Sequence, residues 1–60
     1  MSIKEARQRL FSMWLYMDKG YRQALEAGCK QDEEIEDDLK ALDIAIEVLK
    51  GLELNENGRL

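Results

Sequence analysis

Apolar side chains recur along this chain at alternating steps of three and four, and they do so in two separate stretches. Ile35, Leu39, Leu42, Ile46 and Leu49 follow one another at 4, 3, 4 and 3, the spacing that gathers side chains on one face of an α-helix. Ile3, Leu10, Trp14, Met17, Tyr21, Ala24 and Gly28 form a second series at 7, 4, 3, 4, 3 and 4. There is no proline to interrupt either run. The pattern predicts an all-α fold of two helices, one over residues 3–27 and one over residues 32–52, with residues 55–60 as a flexible tail. Residues 1–54 then form a single domain. Because the connection between the helices is short, they must lie antiparallel as a helical hairpin.

The expected ends carry recognisable stop and start signals. Ser2 with Glu5 three residues on fits a capping box, in which Ser2 accepts from the Glu5 backbone and the Glu5 carboxylate reaches back. Gly28 suits the left-handed position just past a helix C-terminus, and Asp32 is an N-cap for the next helix. Gly20 costs about 1 kcal/mol relative to alanine in a helix interior, but the apolar phase runs through it, so one continuous first helix is expected. Asp32, Glu33, Glu34, Glu36, Asp37 and Asp38 crowd the start of the second helix, where its dipole favours anions, and Lys50 stands near the far end, which either is capped by Gly51 or frays onward to Leu54.

Each helix is more apolar than a hairpin can use. In "FSMWLYM", residues 11–17, six of seven side chains are apolar. At about 100° per residue, Trp14, Met17 and Tyr21 fall close to Leu10, whereas Phe11 and Leu15 lie about 100° and 140° away and Tyr16 nearly opposite. The second helix repeats the surplus with Ala41, Ala45, Val48 and Leu52 beside its main seam and Ile44 outside it. A chain of 60 residues buries too little surface to be comfortable alone, and small folds add disulfides, metals or self-association. Cys29 is the only cysteine, so no internal disulfide can form. The expectation is a homodimer, two hairpins making a four-helix bundle, with Phe11, Leu15, Ala41, Ile44, Val48 and Leu52 at the interface.

Charge narrows the function. Residues 1–29 carry five basic and three acidic side chains, and residues 30–60 four basic and ten acidic, so the net charge of −4 belongs to the second half. An acidic surface disfavours direct nucleic-acid binding, which needs cations against phosphate. The second helix, which would read DNA in a helix-turn-helix, is the acidic one. The apolar runs are too short to cross a bilayer, and neither a long apolar leader segment nor a small-residue cleavage site follows the early basic residues; the expected location is the cytoplasm.

Catalysis has little to build on. The sequence has no histidine, and Ser2, Ser12 and Cys29 lack a base to activate them. An active site made from Arg7, Arg9, Arg22 and Glu26 would need a pocket that helices of this length do not enclose. Glu33 with Asp37 and Glu34 with Asp38 are i,i+4 carboxylate pairs of the kind hard cations use, but no second ligand motif accompanies them. No cofactor or metal is expected, and the protein is read as a non-enzyme. The same four carboxylates are instead the candidate contact for a basic surface on a protein partner. Tyr16, far from the seam and of a type enriched in binding hot spots, is the second candidate contact.

The stretch "LKALDIAIEVLKGLE", residues 39–53, resembles helical segments of short accessory proteins of bacteriophages and prophages. The resemblance implies an inhibitor or regulator that binds a host or defence protein; it carries over no individual functional residue. The alternative is a structural role, the bundle serving as an oligomerisation module of a larger assembly.

Overall fold

The computed structural model describes residues 1–58, with side chains through Asn55. Two helices, α1 (Ile3–Glu26) and α2 (Glu33–Gly58), pack against each other as a hairpin, and the described residues contain no strand. The body is a rod of 52 × 16 × 15 Å. Its radius of gyration, 14.5 Å, compares with about 10 Å for a compact chain of this length.

The helix ends form from the residues that signal them. Ser2, in extended backbone, accepts from the Glu5 N–H at 3.1 Å; the return contact from the Glu5 carboxylate is not among the hydrogen bonds of the described residues. Gly28 adopts φ +96°, the Gly28 N–H donates to the Leu25 carbonyl, and the Cys29 N–H donates to the Ala24 carbonyl. Those two bonds are a Schellman motif, which satisfies carbonyls the helix leaves open. Asp32 Oδ1 accepts from the Glu34 and Ile35 N–H groups at 2.9 and 3.3 Å, capping α2. α1 passes through Gly20 unbroken.

The far end of α2 differs from expectation. Instead of stopping near residue 52 before a tail over 55–60, α2 continues to Gly58. Gly51 does not adopt the left-handed backbone that would end the helix, no proline follows, and Arg7 holds Glu53 in this extension across to α1. Leu60, the last residue of the expected tail, and Arg59 lie outside the described residues.

The seam joins the expected residues. Leu10, Trp14, Met17, Tyr21 and Ala24 of α1, and Ile35, Leu39, Leu42 and Leu49 of α2, are half-buried, and Ile46 at 9% exposure is the one buried residue among those described. Two helices can cover only one side of each other, so the seam is shielded along a line and open on both sides. The exposed area, 5122 Å², exceeds by about 1,100 Å² the roughly 4,000 Å² that a folded monomer of this mass normally shows.

Candidate interaction surfaces

The seam divides the rest of the hairpin into two flanks. At about 100° per residue, Met13, Gly20 and Tyr16 swing to one side of Leu10 along α1, while Phe11 and Leu15 swing to the other. Along α2, Ala45, Leu52, Ala41 and Val48 turn to one side of Ile46, and Glu36, Asp43, Glu47 and Leu54 to the other. In an antiparallel pair, sides of the same rotational sense coincide. One groove confirms that correspondence, lined by Tyr16, Met17, Gly20, Tyr21 and Ala24 of α1 with Ile35 of α2. On the opposite flank the Tyr21 hydroxyl donates to Glu36 Oε2 at 2.7 Å.

The first flank therefore carries Met13, Tyr16 and Gly20 beside Ala41, Ala45, Val48 and Leu52, apolar over most of its length. Small residues lie near its middle: a Cβ added at Gly20 would meet nothing within 4 Å. The second flank carries Phe11 and Leu15 with Leu54, set among Asp18, Arg22, Asp43, Glu47 and Lys50. Phe11 stacks on Trp14, the ring centroids 6.4 Å apart and the planes 4° from parallel. Met13, Phe11, Leu15, Tyr16, Ile44, Val48, Leu52 and Leu54 are all exposed.

The six residues expected at one interface are thus not brought together. Ala41 and Leu52 lie on the first flank with Val48 at its outer edge, Phe11 and Leu15 occupy the second, and Ile44 lies at the outer edge of the second side, about 160° from Ile46 in the sense opposite to Val48. The reason is geometric: a helical wheel of each helix alone does not say which of its sides meets which side of its neighbour. Tyr16, at 86% exposure, stands on the outer edge of the first flank. Glu33, Glu34, Asp37 and Asp38 are all exposed at the start of α2; Glu33 and Asp37 face away from α1, while Glu34 and Asp38 turn toward the end of the first flank.

Two polar contacts that the seam pattern did not reveal fix the register. Arg7 Nε bonds Glu53 Oε2 at 2.6 Å and Nη2 reaches Oε1 at 3.5 Å, both side chains being mostly covered at 26% and 17% exposure. The hydrogen bond from Arg7, helped by the charges of Arg7 and Lys4, holds the Glu53 carboxyl below its ordinary range against a smaller opposing effect of burial. At the other end, the Tyr21 hydroxyl, besides donating to Glu36, accepts from the Asp32 N–H at 2.8 Å. Donation to Glu36 and burial raise the Tyr21 hydroxyl above its usual value. One tyrosine thus ties α1 to both the cap and the first turn of α2. The signal for Arg7 and Glu53 was their place on the two seams, Arg7 four residues after Ile3 and Glu53 four after Leu49.

Among the described residues no group of three or more His, Cys, Asp or Glu side chains is placed to hold a metal ion. Cys29 is an exposed free thiol in the turn. No described helix is long and apolar enough to cross a membrane. No family model, curated protein or solved structure matches the chain.

Proposed function

We propose that this protein is a non-enzymatic protein-binding module that works as a pair of hairpins in a four-helix bundle, with the acidic start of α2 offered to a basic surface on a target protein. The observation that carries the reading is the imbalance of the hairpin itself: among the described residues, one buried side chain against eight exposed large apolar ones on its helices. Fully burying a Val, Leu, Met or Phe is worth about 1.5–3 kcal/mol, so covering several of them in a second copy outweighs what the hairpin seam alone contributes. The excess of about 1,100 Å² in exposed area is close to the roughly 800 Å² that each partner contributes to a standard interface.

The acidic quartet supports the binding half of the reading. Glu33, Glu34, Asp37 and Asp38 exceed what the helix dipole uses, because its benefit fades within a turn and neighbouring like charges repel. The resemblance of residues 39–53 to phage accessory proteins points to a host or defence protein as the target, bound and inhibited or regulated in the cytoplasm. The test is capture of the target from host lysate, followed by association kinetics with the purified partner. Changing the four carboxylates to Gln and Asn is expected to slow association while leaving helix content intact, and added salt to slow the unaltered protein. Equal rates and a flat salt dependence would refute the acidic contact.

One observation favours the structural alternative. Covering the first flank leaves Phe11, Leu15 and Leu54 exposed on the second, a site through which pairs could join a larger assembly. Sedimentation that shows species beyond the dimer, abolished by Phe11→Ser, would favour the assembly module over the inhibitor.

A further inference from the structure

We propose that two hairpins associate through the flank carrying Met13, Gly20 and Ala45, with their turns at opposite ends and the two-fold axis beside Tyr16, so that Met13 of each copy sits over Gly20 of the other. This rests on the pairing of hairpins proposed above and adds the face and the direction.

The face follows from what each flank presents. The second flank interrupts its apolar residues with Asp18, Arg22, Asp43, Glu47 and Lys50, and desolvating such charges is expensive unless each finds a partner. The first is uncharged through its middle, with Gly20, Ala41 and Ala45 low enough for two backbones to come close. Gly20 lines the groove between Tyr16 and Ala24, and nothing of its own chain stands within 4 Å of where its side chain would be.

The direction follows from where the large and small residues stand. With Arg7 opposite Glu53 and Ala24 beside Ile35, Ala45 lies level with Tyr16, Val48 with Ser12 and Asp38 with Arg22. If the turns of two copies were at the same end, Met13 would oppose Val48 and Gly20 would oppose Ala41, large on large and small on small. Reversing one copy about an axis level with Tyr16 places Met13 over Gly20 and Val48 over Ala41, with Ala45 near its own counterpart. Met13 and Val48 then each meet a small residue, which close packing requires, and the exposed Tyr16 lies beside its own counterpart at the axis.

Charge selects the same arrangement. Arg9 stands at the open end of the flank, and Glu34 and Asp38 at the turn end. At 1.5 Å per residue Arg9 and Asp38 each lie about 10 Å from the axis level and Glu34 about 15 Å, so the reversed copy brings Arg9 to the level of Asp38 of its partner at both ends. The unreversed one gathers both acidic edges together, where like charges repel.

The turn supplies its own probe, because Cys29 is free and exposed there. Nitroxides attached to Cys29 of the unaltered sequence should show a dipolar distance of about 40 Å, since each turn lies about 20 Å beyond the axis at 1.5 Å per residue. A distance under about 25 Å in a dimeric sample would overturn the reversed arrangement while leaving the pairing itself standing; a single-chain mass at every concentration would overturn both. Gly20→Leu should retain the helix content of the hairpin and weaken association at least tenfold. A Gly20→Leu dimer with an unchanged dissociation constant would overturn the choice of face.

Discussion

Truncating Ile46 to alanine tests how little core the hairpin has. Ile46 is 9% exposed and by the register of Arg7 against Glu53 stands level with Trp14. The substitution removes three carbons, and at about 0.8 kcal/mol for each the lost transfer energy is about 2.4 kcal/mol. The cavity contribution that drives such substitutions toward 5 kcal/mol in large cores should be small, because Leu10, Trp14, Leu42 and Leu49 are themselves only half-buried and water can occupy the gap. A fold of this size holds about 3–5 kcal/mol from its core, so one methylated side chain accounts for most of it. At about 4–8 °C per kcal/mol, Ile46→Ala should lower the melting midpoint by about 10–20 °C, read by circular dichroism at 222 nm and fixed protein concentration. A loss under about 1 kcal/mol would refute the assignment of Ile46 to the centre of the seam.

Asp32→Ala removes the acceptor for two α2 N–H groups and should cost about 1 kcal/mol, measured by urea denaturation; no change would mean that Tyr21 alone organises the start of α2. The Arg7–Glu53 pair should give a distinctive pH signature. Because the folded state lowers the Glu53 pKa from its ordinary 4.5, the stability it contributes is present above that value and is lost as pH falls through the lowered one. Glu53→Gln should therefore be less stable than the unaltered protein at pH 7, with the gap closing below about pH 4; a gap independent of pH would contradict the ion pair. Exchanging Ile44 for Glu should leave the dimer intact, since Ile44 points away from both the seam and the first flank, whereas Ala45→Glu, beside the proposed axis, should dissociate it; analytical ultracentrifugation of the two variants separates the cases.

The seam was readable because its period belongs to the helix and nothing competes with it. Leu10, Trp14, Met17, Leu39, Leu42 and Ile46 fall where steps of three and four put them, and Ser2, Gly28 and Asp32 act locally, each through its nearest backbone groups. The extension of α2 to Gly58 was not readable from Gly51, because a glycine ends a helix only when the chain turns left-handed there, and the bond from Arg7 to Glu53 favours continuing. The Tyr21 bridge joins residues brought close only by the turn, and no spacing within one helix encodes it. The separation of Phe11 and Leu15 from Ala41, Val48 and Leu52 depends on the antiparallel juxtaposition of two helices. That relation is three-dimensional, which is why the surplus apolar residues were evident in the sequence but their division into two surfaces was not.

The central claim is that the apolar first flank of the hairpin is covered by a second copy. Light scattering behind size exclusion, at tens of micromolar protein, measures the mass directly. The account predicts about 14 kDa, twice the 7.0 kDa of the chain, with helix content that falls on dilution as the pair separates. A species of 7.0 kDa that unfolds cooperatively, with a midpoint independent of concentration, would contradict it.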